Sequence, residues 1–266
     1  MTPARCLLAV LLFSACADAQ TPAEGVDSAP SPAPFVIVDG RDLDAAPDAS
    51  DRKATWEGVA AVQAAIGAAR AYWSAKDPGY EEDVRVLDVA EGAFTRPGAS
   101  EHAVLYLVSL WPRCCPKIGL AIVEGDPGPS ATLVENVAFE GSTQGVQAIP
   151  DLDGDGLDEL VLRSSFGMGG EISASATLAA FGSEGLASRG GLGIYEGACG
   201  ALRDGEAATR LLAVPGEEPA FTTETYMRAR CEGGLWESAG APQPLTLQPP
   251  SEHAYVRLER VGRDRQ

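Results

Sequence analysis

The sequence predicts a mainly β protein of antiparallel sheets, with one amphipathic helix near its N-terminal end. Three observations carry this. From residue 84 onward the apolar residues come in short runs broken by Gly, Pro, Asp or Ser, as strands joined by tight turns require. The connections between runs are too short for the helical crossovers of a parallel sheet. Ahead of them lies one stretch with helical spacing, and no helical period longer than two turns returns after it.

That helix is read from Trp56, Val59, Val62, Ile66, Ala69 and Trp73, which recur at spacings of three and four with alanine between them. The spacing makes one apolar stripe. Asp51 can cap its start, and Pro78-Gly79 stops it. The stripe is expected to pack on the core rather than hold a ligand. Strand composition follows at Val84–Val89, Ala103–Leu110, Ile118–Val123, Thr132–Phe139, Val146–Ile149 and Leu160–Leu162. It continues at Ile172–Phe181, Leu192–Tyr195, Arg210–Val214, Ala220–Arg230 and Pro244–Leu247. The Gly-rich segment at 164–171 lacks the Lys and following helix of a phosphate loop, so it reads as a hairpin or loop.

The chain has 266 residues, with 45% hydrophobic and 22% charged, enough to bury a core. Its 20 Lys+Arg against 38 Asp+Glu give a formal charge of −18, which argues against nucleic acid and anionic lipid as partners. The first residues, MTPARCLLAVLLFSACADAQ, combine Arg5, an apolar run from Leu7 to Phe13 and small residues. This is the layout of an export signal. Two processing sites compete. Ala17-Asp18-Ala19 fits cleavage after Ala19. Phe13-Ser14-Ala15-Cys16 resembles a bacterial lipobox, with Phe13 where that pattern has Leu, and would leave a lipid on Cys16. The expected location is therefore periplasmic or outer-membrane, as a lipoprotein, or secreted. No later run reaches the ~20 apolar residues of a membrane span. The Pro/Ala/Asp-rich stretch over 20–50 reads as a flexible linker, and 51–261 as the helix plus β domain.

Four cysteines remain beyond the signal: Cys114, Cys115, Cys199 and Cys231. None has zinc-finger spacing, and an even number in an oxidising compartment points to disulfides. Cys199–Cys231 and a pairing of Cys114 and Cys115 with Cys199 and Cys231 both stay open.

The chemistry concentrates at 151–159, Asp-Leu-Asp-Gly-Asp-Gly-Leu-Asp-Glu. Carboxylates at alternate positions of a tight loop converge on one point, and calcium takes six to eight such oxygens. Gly154 and Gly156 permit the sharp turns that aim them inward. The expected ligands are the side chains of Asp151, Asp153, Asp155 and Glu159 and the Leu157 carbonyl. Asp158 is expected to point outward or bind through water. An EF-hand is disfavoured, because Leu162 occupies the position of its bidentate Glu and the flanks read as strand.

The stretch IPDLDGDGLDELVL resembles the FG-GAP repeat of integrin α chains and its bacterial VCBS-type relatives. In that family a D-x-D-x-D-G-x-x-D/E loop between two strands holds calcium. The match covers about 15 residues. A degenerate copy lies at 93–101, where Gly98 and Glu101 stand for Gly156 and Glu159 at an offset of 156 − 98 = 58 residues. Its three Asp positions hold Ala93, Thr95 and Pro97, so it keeps the turn and loses the metal. A third trace at Leu202-Arg203-Asp204-Gly205 is fainter. The resemblance implies a small or incomplete β-propeller-like arrangement, with a sandwich or open sheet as the alternative. It also implies calcium as cofactor and a role in adhesion, recognition or scaffolding toward a surface protein or glycan. The competing reading is a hydrolase acting on polysaccharide or peptide. Against it, neither His102 nor His253 has a nucleophile in its sequence context. The calcium loop, with its ion saturated by carboxylates, would leave little room to activate water.

Overall fold

The structure is a computed structural model describing residues 32–43, 56, 58–76, 84–108, 117–124, 131–135, 142–183, 185–197, 205–229, 234–247 and 256–261. The export signal, Cys16, the four later cysteines, His253, the cap Asp51, the stop Pro78-Gly79 and most of the Leu202–Gly205 trace lie outside these residues. Among the described residues no helix is long and apolar enough to cross a membrane.

The fold is mainly β. Strand β1 (Phe35–Asp39) leads through a 3₁₀ turn at Gly40–Leu43, and helix α1 spans Ala60–Lys76. Then come β2 (Val84–Gly92), β3 (Glu101–Val108), β4 (Lys117–Glu124), β5 (Ala131–Glu135) and β6 (Ser142–Ile149). After these come β7 (Glu159–Met168), β8 (Glu171–Gly182), β9 (Gly185–Gly197), β10 (Glu206–Val214) and β11 (Ala220–Arg228). The short β12 (Glu237–Ser238) and β13 (Gln243–Leu245) precede β14 (Val256–Val261).

All described pairings are antiparallel, and the strands form two sheets. The five-stranded sheet runs β14-β5-β4-β3-β2. The nine-stranded sheet runs β12-β11-β10-β9-β8-β7-β6, with β1 also on β10 and β13 on β11. This is the open-sheet alternative of the sequence reading. Of the hairpin and loop readings left open for 164–171, the structure shows the hairpin: Gly169 and Gly170, at φ +63° and +89°, form the two-residue turn between Met168 and Glu171. Positive φ at both turn residues matches the right-handed twist of the flanking strands.

The layers follow from side-chain alternation. On β3, Ala103 and Leu105 face the nine-stranded sheet, where they meet Leu160, Leu162 and Ala179. Val104, Tyr106 and Val108 face α1 instead. Both faces of the five-stranded sheet are thus buried. Helix α1 buries Ala61, Val62, Ala65, Ala69 and Trp73, while Ile66 is only partly covered. Trp73 is a core residue, and its Nε1 donates to the Tyr106 hydroxyl at 3.3 Å. Tyr106 fits because its cross-strand neighbour is Gly119, where a Cβ would overlap the phenol ring. The nine-stranded sheet curls. Ile37, Leu211 and Ala213 of β1 and β10 pack against Val161 and Leu178 of β7 and β8, several strands away along the sheet.

The sequence reading placed Phe35–Asp39 inside the 20–50 linker; it is instead a strand. Phe-Val-Ile-Val-Asp has strand composition, and β1 fills the gap where β9 leaves β10. Strand β9 pairs β10 only over Glu206–Ala208, and β1 takes over from Arg210 to Ala213.

Glu206 closes that junction. It accepts hydrogen bonds from the Tyr195 hydroxyl of β9 at 2.5 Å and from Arg228 Nε of β11. The Arg228 bond above all, with the Tyr195 bond, holds the carboxyl below its ordinary value against the opposing effect of burial. A carboxyl lowered by folding stabilises above its unfolded pKa and loses that contribution as pH falls through its folded one. Glu206→Gln is expected to lower stability by about 2 kcal/mol near neutrality. The gap to wild type should close as pH drops below about 4.5. Urea unfolding midpoints across that range measure both effects.

Candidate metal centre

The loop between β6 and β7 is held at both ends by buried groups. Ile149 pairs with Glu159 across the hairpin. Leu152, wholly buried, plugs the core inside the curl of the nine-stranded sheet. Its N–H donates to Glu159 Oε2 at 2.9 Å. Asp151 organises the turn, with Oδ1 accepting from Gly154 N at 2.7 Å and Oδ2 from Gly156 N at 2.9 Å. Gly154 and Gly156 sit at φ +81° and +87°, which side chains with a Cβ rarely adopt. Asp155 Oδ1 accepts from Leu157 N at 2.8 Å.

These bonds bring three of the expected ligands together. Asp151, Asp153 and Asp155 each offer a carboxylate oxygen, and the three oxygens lie within 4.8 Å of one another. Asp153 Oδ2 accepts from Arg189 Nη2 at 2.6 Å, whereas Asp153 Oδ1 is buried with no hydrogen-bond partner. Glu159 stands beside this trio: Oε1 is 3.3 Å from Arg189 Nη2, and Oε2 is turned back onto Leu152. Leu157 is half-buried, with its N–H tied to Asp155. Burial pushes the Glu159 carboxyl up to about 7. The Leu152 N–H and Arg189 pull it down, and the negative Asp153 and Asp151 push it further up.

Arg189 was not visible as a site residue. It lies 36 residues beyond Asp153 on β9. Leu178 pairs with Gly190 and Ala179 with Ser188, so Arg189 is the extra residue of a β-bulge. A bulge re-aims its side chain, here toward the acidic loop. No local sequence signal marks it.

Asp158 departs from the first of its two expected placements. Instead of pointing outward it locks onto the degenerate loop: Oδ2 accepts from Ala93 N and its own N–H donates to Ala93 O, each at 2.8 Å. The loops pack closely enough that a Cβ on Gly92 would come within 2.7 Å of Asp158 Oδ2.

The degenerate loop repeats the construction. Phe94 is the wholly buried plug, Gly98 has φ +70°, and Glu101 accepts Phe94 N at 2.6 Å and Thr95 N at 2.7 Å. The Thr95 hydroxyl donates to its other oxygen. The hairpins also share a bulge. Leu87 is extra opposite Leu105 and Tyr106, and Gln144 is extra opposite Arg163 and Ser164; the facing residues are offset by 58 (163 − 105 = 58) and the bulged ones by 57 (144 − 87 = 57). Among the described residues the loop at 151–159 alone carries a cluster of three potential metal ligands.

A hard divalent cation suits the donor set: three converging carboxylates, with one buried oxygen lacking a partner. His102 belongs elsewhere, with Nε2 3.4 Å from Glu91 Oε1. Comparison with known protein families, curated proteins and solved structures finds no match.

The Asp158 lock predicts an effect separate from any ion. Asp158→Ala leaves the Ala93 N–H without its acceptor and should destabilise by about 1 kcal/mol. Equilibrium urea unfolding in chelator measures it.

Proposed function

We propose that the protein is an exported, membrane-anchored, calcium-binding module of FG-GAP/VCBS type that acts in adhesion, recognition or scaffolding. One observation carries the metal reading: Asp151, Asp153 and Asp155 converge while Asp153 Oδ1 stays buried and unpartnered. An unpaired buried acceptor is unfavourable, and a divalent ion supplies what it lacks. Asp151, Asp153 and Asp155 would hold the ion, with the Leu157 carbonyl and Glu159 completing the set. Arg189 already neutralises part of this charge at Asp153 and Glu159, so the loop folds without an ion and is stiffened by one. The matching plug, glycine and glutamate of the 93–101 loop support the repeat on which the family likeness rests.

The biological role follows from the family likeness alone. Calcium would fix the β6–β7 loop against its neighbour and so present a constant surface to a protein or glycan. Anchoring through a lipid on Cys16 rests on the Phe13-Ser14-Ala15-Cys16 sequence.

Extracellular calcium modules bind at roughly 10⁻⁴–10⁻³ M. At the tight end of that range, about 1 mM calcium stabilises by about 1.4 kcal/mol, a rise in melting temperature of about 3–5 °C for a domain of this size. Thermal melts in calcium and in chelator should show this rise in the wild type and lose it in Asp153→Asn. A natively folded wild type that melts identically in both would overturn the reading.

A further inference from the structure

The exposed apolar side chains gather in one place. Among the described residues the large ones are Val36, Phe166, Met168, Ile172, Met227 and Leu235. All but Val36 line a single cleft of about 940 Å³, within the range of small-molecule sites.

The cleft has a regular floor. Phe166 pairs with Ser173, Ser173 with Glu196, Glu196 with Ala207, Ala207 with Met227 and Met227 with Glu237. This row crosses β7 to β12, and cross-strand partners point to the same face. The opposite face at this level is the sealed core of Ala174, Tyr195 and Ala208. Along β7 the floor face reads Leu160, Leu162, Ser164, Phe166, Met168, with exposures of 0%, 0%, 3%, 53% and 71%. The five-stranded sheet covers the first part of this face and stops short of the rest. Among the described residues nothing covers this end of the sheet face.

Its charge is one-sided. The lining holds Glu171, Glu196, Glu206 and Glu237 against Arg228. Arg228 is committed to Glu206 and lies 4.6 Å over the Trp236 ring. Among the described residues no cation pairs with Glu171, Glu196 or Glu237. An anionic ligand would meet three carboxylates on a chain of formal charge −18. A neutral one would leave them without a counter-charge. The two methionines beyond Met1, Met168 and Met227, both lie here; methionine adapts to apolar ligands of varied shape.

We propose that this cleft binds a small amphiphilic organic cation, an apolar body bearing an ammonium group. Phe166, Met168, Met227 and Leu235 take the apolar body, and Glu196 and Glu237 on the floor row take the charge. The site is independent of the acidic loop and of calcium.

The methionines supply the test. The full chain, labelled with [¹³C-methyl]methionine and assigned by Met168→Leu and Met227→Leu, is titrated below micelle formation with dodecyltrimethylammonium, dodecyl sulfate and dodecyl maltoside, and with tetramethylammonium. Both methyl signals should shift saturably with dodecyltrimethylammonium, at concentrations about tenfold below those needed for the sulfate or maltoside. Tetramethylammonium should leave them in place. Glu196→Gln combined with Glu237→Gln should weaken the ammonium by about fivefold with an unchanged unfolding midpoint. Absence of saturation, or equal response to all three dodecyl probes, would overturn the proposal. So would signals that move on dilution of the protein alone, since a second copy would then cover the face. Response only to a basic amphipathic peptide would overturn it in favour of a macromolecular partner.

Discussion

Two buried carboxylates at strand starts, Glu101 and Glu159, hold the end of the molecule where the acidic loop lies. Each accepts the N–H of the apolar residue plugged beside it, Phe94 or Leu152. Each therefore joins the loop to the first residue of its strand. Burying a carboxylate demands either donors or a positive charge, and the two copies meet the demand differently. Glu101 is surrounded by donors: two backbone N–H groups and the Thr95 hydroxyl. Glu159 receives one N–H and the nearby Arg189 guanidinium, with Asp151 and Asp153 pressing against its charge. The copy that carries three aspartates is the copy that recruited a cation. Where Thr95 stands in the degenerate loop, Asp153 stands in the other, and with that exchange the local balance changes from neutral donors to net charge.

Strands β7 and β8 connect the acidic loop to the cleft. Strand β7 begins at Glu159 and ends at Met168, a run of about 30 Å at strand rise. Its first residues sit under the loop and its last form the cleft floor. Strand β8 returns along it, and the bulge between β8 and β9 that aims Arg189 lies at the loop end. The sheet curls around Val161, Leu178 and Ile194, and its other face is covered by the five-stranded sheet only at the loop end. Curvature and partial cover therefore leave one closed end, with a charged loop, and one open end, with apolar side chains.

Sequence patterns of short range were legible. The helix stripe, the Asp-rich loop, the Gly169-Gly170 hairpin and the 58-residue correspondence of Gly98 and Glu101 with Gly156 and Glu159 all depend on neighbours within a few residues. What escaped depends on non-local pairing. Strand β9 spans thirteen residues but includes five glycines, so only Leu192–Tyr195 carried strand composition. Strand β1 hides between proline-rich and acidic flanks. Arg189 and Asp158 take their roles from a bulge and from a second loop, which no spacing encodes. The edges that receive β1 and β14 are again a long-range matter.

Those two strands explain how a repeated hairpin gives two unequal sheets. The meander β2–β5 and the meander β6–β9 begin at sheet edges, β2 and β6, and these edges meet. Asp88 Oδ2 of β2 accepts Val146 N of β6 at 3.0 Å, and Asp158 binds Ala93 beside them. Beyond the meanders the chain crosses over. The first strand, β1, completes the sheet of the second meander on β10, and β14 completes the sheet of the first on β5. Each sheet thus includes a strand from the far end of the chain. Neither meander can finish its sheet from its own neighbourhood, so the two copies are bound into one cooperative body. Strands β10 to β13 extend the second meander's sheet alone. The asymmetry frees the second copy to carry the acidic loop and the open face while the first, backed by α1, serves as its support.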